Sequence, residues 1–366
     1  MTFGSQILHA YLFAYIYWLM IPLGCTAILM MHHLTGGWWG YPIRRLLEAG
    51  SRTFGVMALL FIPILLFIKQ IYPWVNPPEE MLHNPNYHFK LEYLSTNFFI
   101  LRAVIYFAIL FTLAHFLNKW SREQDATGDP RIAKYLEGMS GPGLILWGIA
   151  VSFSMIDWVM SLEPAWFSTI YGMIFMIVSA LTAMSFVIFV LRRLVDGERG
   201  KEISEKVTPG QFNDLGNLML AFTMLWAYLS FSQFLIIWSG NIKDEIPWYM
   251  SRAFGAWGKL AVFLIVLHFA LPFLLLLQRN VKRRVHRLSA VAAMMLVLSM
   301  VDVYWLIVPA YEKDGPRLSS LLWDIFYLVV IGFIWIATYF WQLGKMPLLP
   351  LHDPRFEGEL QHEHGD

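Results

Sequence analysis

A single cysteine, Cys25, in 366 residues leaves this chain without the means for an intrachain disulfide framework, a cysteine-ligated iron–sulfur cluster or a cysteine zinc site. Charge is scarce as well. Only 14% of residues are Asp, Glu, Lys or Arg, where a soluble domain carries about a quarter. Net charge is +1, so no basic face invites nucleic acid. Neither a Walker loop nor a Gly-x-Gly-x-x-Gly fingerprint occurs, which removes the usual nucleotide cradles. The context of the cysteine, Pro22-Leu23-Gly24-Cys25, departs from a lipoprotein cleavage site: proline replaces leucine and no basic region precedes it. A small residue packed in a helix is the expectation.

What is present is apolar and segmental. Hydrophobic residues make up 57% of the chain, in runs of about 20, each long enough to cross a hydrocarbon core of about 30 Å. Spans are expected near residues 6–32, 51–72, 95–118, 142–161, 168–192, 213–238, 254–277, 288–309 and 318–342. The fold class that follows is an all-α integral membrane protein of about nine transmembrane helices. Loops after the first, third, fifth and seventh spans, with Arg52 and Arg192 at the adjoining span ends, hold seventeen Lys and Arg, against five in the alternate loops. By the positive-inside rule the N-terminus lies outside and the C-terminus lies in the cytoplasm. In the tail 346–366, His362-Glu363-His364 is a possible metal ligand set, with a solvated polar end the preferred reading. The outer loop 73–93, with Pro73, Pro77, Pro78, Pro85, Trp74, Tyr87 and Tyr93, suits a headgroup belt, a partner surface or an ordered connector equally well.

The chain also repeats itself. Leu113-Ala114-His115-Phe116 in the third span matches Val266-Leu267-His268-Phe269 in the seventh. Ser154-Met155-Ile156-Asp157 in the fourth matches Ser299-Met300-Val301-Asp302 in the eighth. An even number of helices separates the copies, so the repeat is parallel. Two four-helix bundles are expected, over 1–165 and 166–312, with a peripheral helix in 313–345.

A charge at a helix centre costs roughly 2.5–3.5 kcal/mol on insertion scales, so each needs a partner, water or a task. Depth follows at about 1.5 Å per residue. Asp157, Asp302 and Asp324 fall in one outer layer, and Arg102, Lys259 and Lys69 reach comparable levels. His268 lies nearer the middle; His115, His32, His33 and Asp214 lie toward the cytoplasmic side. Two readings stand side by side. One is structural, a set of ion pairs such as Arg102 with Asp157. The other is a proton route through Asp157, Glu163, His115, His268, Lys259, Asp302 and Asp324.

Redox chemistry on the chain itself is not expected. Haem between helices requires histidines paired at matching depth; His268 has no such partner, and His32 and His33 point in different directions. A quinone pocket needs only apolar walls, aromatics and one or two proton-exchanging groups, which Trp158, Trp147, Tyr171 and Trp226 could wall anywhere. Such a pocket is expected beside Asp157 and Trp158. A secondary transporter also fits a parallel repeat, but no Gly-interrupted helix pair marks its midplane.

Several long strings carry a resemblance. They are His32-His33-Leu34-Thr35-Gly36-Gly37-Trp38-Trp39-Gly40 with Pro42-Ile43-Arg44-Arg45-Leu46-Leu47-Glu48-Ala49, and Asp157-Trp158-Val159-Met160-Ser161-Leu162-Glu163-Pro164 running on to Gly172. They continue with Leu215-Gly216-Asn217-Leu218, Ser230-Phe231-Ser232-Gln233-Phe234 through Asn241, His268-Phe269-Ala270-Leu271-Pro272-Phe273, and Leu351-His352-Asp353-Pro354-Arg355. Together these resemble the ActF membrane subunits of bacterial alternative complex III, also described as the second quinone-binding subunit of quinol:cytochrome c oxidoreductases. The resemblance spans nearly the whole chain. It implies a fold related to the polysulfide reductase membrane anchor, in the bacterial cytoplasmic membrane. It further implies a larger homologous subunit that oxidises menaquinol or another quinol, with iron–sulfur and multihaem cytochrome c subunits beside it. Haem c and iron–sulfur clusters would then sit in those partners, with no cofactor on this chain and a proton path rather than a redox centre. Family members usually carry a further N-terminal helix, whereas this chain begins just before its first expected span.

Overall fold

The computed structural model describes residues 3–77, 79, 93–197, 206–350 and 353. Most of the loop 73–93 and of the tail, including His352 and His362-Glu363-His364, lies outside the described residues. Among the described residues there is no strand, and nine helices are long and apolar enough to cross a membrane. They run Gly4–Thr35, Arg44–Leu66, Thr96–Thr127, Pro130–Leu162, Tyr171–Val195, Pro209–Gly240, Gly255–Leu277, Val285–Ala310 and Leu318–Leu343. The protein is an all-α integral membrane protein. All nine expected spans are present, and the largest shifts fall at the second, third and fourth.

Local chemistry explains those shifts. Between the third and fourth spans, Gly128 adopts a left-handed conformation, Asp129 accepts from the Arg131 N–H at 2.9 Å, and Pro130 opens the next helix. Glycine past the C-terminus, a carboxylate N-cap and proline in the first turn form a compact stop and restart. Both helices therefore continue beyond the hydrocarbon-length stretch. The second span starts early, at Arg44, and is interrupted near Arg52. There Ser51 and Thr53 hydroxyls donate to the Glu48 and Gly50 carbonyls at 2.8 and 2.7 Å, competing with the helical ladder.

The first and fifth spans form the centre. They are apolar all round, which demands burial on every side. The first packs on the second, fourth, fifth and ninth, while the fifth packs on the fourth, sixth and eighth as well. Their mutual approach is close: a Cβ on Gly24 would meet the Ser179 carbonyl oxygen at 1.9 Å. Small residues permit such backbone proximity where lipid removes the hydrophobic drive for helix association. Cys25, beside it, is fully buried.

Aromatic tips tie the spans together. The Trp147 indole donates to the Leu23 carbonyl at 3.1 Å, Trp18 to Leu328 at 2.8 Å, and Trp335 to the Thr53 hydroxyl at 2.9 Å. Each bond satisfies an N–H that hydrocarbon could not. The surface is apolar, with Leu66, Trp238 and Phe333 among the most exposed side chains.

Candidate functional site

Buried charge collects at the two ends of the bundle. At one end Asp157 is fully buried, and Arg102 meets it with two bonds, Nε to Oδ2 at 2.7 Å and Nη2 to Oδ1 at 2.9 Å. Tyr106 donates to Oδ2 at 2.7 Å, and Arg102 donates to the Tyr93 carbonyl at 2.8 Å with its guanidinium over the Tyr93 ring. A bidentate guanidinium–carboxylate pair is the strongest arrangement these groups can make. Trp158, next in sequence, is wedged between Phe61 and Phe107. Tyr72 donates to its carbonyl at 2.9 Å, and burial, with Asp157 adding, raises the Tyr72 hydroxyl well above its ordinary value.

Asp302, the repeat counterpart of Asp157, is treated differently. It is buried, and its Oδ2 accepts from the Trp226 indole at 2.9 Å. Within ion-pair distance no cation stands beside it among the described residues. Trp226 in turn meets His268 edge-on, with ring centroids 4.5 Å apart, and His268 Nε2 lies 3.4 Å from the Ser299 hydroxyl. His268 sits in a widened π-helical turn, Ile265–Ala270. The cause is visible downstream: Pro272 has no N–H, and its ring would clash with the carbonyl of residue 268 in a regular helix.

Asp302 and Trp226 open onto an apolar cavity of about 630 Å³ between the sixth, seventh and eighth spans and the short helix Ile246–Ala253. Its few polar groups are Asp302, Arg252, Gln233 and Ser230, among walls such as Phe231, Phe234, Tyr249 and Trp305. Arg252 is fully buried; its Nη2 donates to Glu163 Oε2 at 2.7 Å and to the Leu306 carbonyl at 3.2 Å, and Trp248 lies under its guanidinium. Asp324 is buried on the ninth span beside Tyr304, Tyr311 and Glu312. Burial, with Asp324 adding, holds the Tyr311 hydroxyl well above its ordinary range.

Two expectations need correction. The layer of three matched acids and bases does not form. Arg102 pairs with Asp157, but Lys69 and Lys259 are exposed on the bundle surface, because a lysine near a helix end can reach water along its flexible stem. Glu163 instead takes Arg252, which the sequence reading counted only as a loop charge. The large apolar cavity, moreover, lies at Asp302 rather than at Asp157 and Trp158, neither of which lines it. The first aspartate is closed off by Arg102 and Tyr106, whose counterparts in the repeat register are Gly255 and Lys259. His115 is exposed at the other end, remote in sequence depth from the aspartates.

That other end holds a network the sequence reading missed. Glu48 is fully buried and accepts from Arg44 Nε at 3.1 Å, Arg45 Nη1 at 2.7 Å and Ser121 Oγ at 2.6 Å. Arg44 continues to Asp353 and to Gln124 Oε1 at 3.0 Å; Arg45 continues to Asp125. Arg52 Nε donates to Asn118 Oδ1 at 2.6 Å, with Glu48 3.9 Å away. The signal was legible: Arg44, Arg45 and Glu48 fall at helical spacings, as do Asn118, Ser121, Gln124 and Asp125 on the facing span.

No family model matches the chain, and no curated protein matches it.

Proposed function

We propose that this chain is a non-haem membrane subunit of a quinol:cytochrome c oxidoreductase complex, or of one with another electron acceptor, bracing the complex and carrying proton-exchanging groups. The observation that carries the reading is Asp302: a buried carboxyl with a neutral indole donor for company, opening on an apolar cavity. A carboxyl held that way can take up and release a proton without breaking an ion pair, unlike Asp157. Glu163 and Asp324 near the same end of the bundle and His268 beside Trp226 are further stations, with Lys259 on the surface and His115 exposed at the other end. The resemblance of the long sequence strings supplies the partners: a larger homologous quinol-oxidising subunit, an iron–sulfur subunit, multihaem cytochrome c subunits and lipids. Loop charge supports an N-terminus outside, and the resemblance supports residence in the bacterial cytoplasmic membrane.

A second reading is favoured by the cavity itself. Its volume, aromatic walls and few polar groups suit a quinone headgroup, so that this subunit would contribute directly to quinol oxidation. A transporter role has no such observation behind it.

The test is a mild-detergent pull-down through a C-terminal tag, with mass spectrometry of everything retained. Recovery of an iron–sulfur protein, a multihaem cytochrome c and a larger helical homologue is expected. A stable, monodisperse chain recovered alone would overturn the assignment.

A further inference from the structure

At the Glu48 end, a second cavity of about 320 Å³ opens between the second, third and ninth spans. Its polar lining carries three cations, Arg52, Arg122 and Lys345, with His115, Asn118, Ser51 and Gln342 beside them. No carboxylate lines it among the described residues. Its remaining walls are Phe54, Phe111, Ala114 and Met346, and Phe111 is itself exposed on the apolar surface of the bundle.

Within the buried network, Arg44 and Arg45 absorb the available acid. Glu48 is shared between them, Asp353 meets Arg44, and Asp125 meets Arg45. Arg52 has no carboxylate closer than Glu48 at 3.9 Å, its other contacts being the Asn118 amide oxygen and the Met346 sulfur. Arg122 donates to the Asn118 carbonyl at 3.3 Å, and Lys345 rests on the Trp341 ring. Both leave N–H donors for a ligand. Three cations around one concavity, without an acid among the described lining, constitute an anion site. The exposed apolar wall beside it is continuous with the lipid-facing surface.

We infer that this cavity takes the phosphate group of an anionic phospholipid, the headgroup seated between Arg52, Arg122 and Lys345 and the acyl chains running along Phe111 and the third span. The loop-charge reading predicts this end to be cytoplasmic, where anionic headgroups and basic pockets between spans meet. The proposal is independent of the quinol assignment.

The experiment uses the full chain in mild detergent, delipidated and titrated with phosphatidylglycerol, phosphatidylcholine or inorganic phosphate. Bound lipid is counted by native mass spectrometry. Phosphatidylglycerol should bind the unaltered protein in preference to phosphatidylcholine. Arg122→Gln and Lys345→Gln should each weaken it about five-fold, and the pair about 25-fold, as expected for loss of one surface cation apiece. Both side chains are exposed, so neither change threatens the fold, whereas Arg52→Gln touches the buried network and is not used. Equal binding by the double variant would overturn the site. Equal binding of phosphatidylcholine would overturn the requirement for a net anion. Displacement of the lipid by inorganic phosphate at equal concentration would overturn the lipid source and leave a soluble phosphate as occupant.

Discussion

Trp226 gives its indole N–H to Asp302 over 2.9 Å, whereas Asp157, its counterpart in the repeat, is gripped by both nitrogens of the Arg102 fork at 2.7 and 2.9 Å. One aspartate is neutralised by charge; the other is met by a dipole. The two should respond differently to the same substitution.

Asp157→Asn strands a buried guanidinium and should destabilise the protein by about 3–5 kcal/mol. Asp302→Asn keeps an acceptor for Trp226 and should cost about 1 kcal/mol or less. Unfolding in mixed detergent, followed by tryptophan fluorescence, separates them. A structural loss as large for Asp302→Asn would sink the idea of a free carboxyl, and so would unchanged proton movement in the assembled complex carrying it.

Glu48 is the hub of the opposite end. Glu48→Gln removes the carboxylate shared by Arg44 and Arg45, and a loss of about 3–5 kcal/mol is expected. Arg122→Gln, at the edge of the same region, should stay within about 0.5 kcal/mol. Comparable midpoints for the two variants would mean that the network contributes little.

Gly24 and Gly138 make a paired test of packing. Gly24→Ala drives a methyl into the Ser179 carbonyl and should prevent the first and fifth spans from closing, seen as lost yield and aggregation in detergent. Gly138, exposed in mid-helix with nothing within 4 Å of an added Cβ, should gain up to about 1 kcal/mol as alanine.

The orientation can be read with cysteine chemistry. Cys25 is buried and should stay silent toward an impermeant maleimide in intact cells. Against that background, Ser239→Cys should label from outside and Thr127→Cys only after the membrane is opened. The reverse pattern would invert the topology expected from the loop charges.

The spans were legible because length and apolarity alone decide them, and the Arg102–Asp157 pair because helix depth can be counted. Three features of the site do not follow from span and depth alone. Lys259 and Asp302 share a depth but not a helix face, and depth says nothing about rotation around the axis. Arg252 is masked because a short helix, Ile246–Ala253, folds it back into the bundle from what reads as a loop. The Glu48 network shows as a helical pattern, yet its arginines serve equally as topology signals, because a charge near a span end satisfies both descriptions.

Those two descriptions also apply in sequence as the chain is made. Arg44 finds Asp353 across 309 residues, so its carboxylate partner there does not exist until all nine spans have left the ribosome. During insertion the arginine, with Glu48 as the acid beside it on its own helix, is available to be read with Arg45 as positive charge and to fix the sidedness of the chain. Once the ninth span is in place, Asp353 can cancel that charge beneath the surface. The residue that sets the direction of entry thus becomes, at the close of synthesis, part of a latch, and a chain truncated before Asp353 would carry a surplus buried cation for membrane quality control to find.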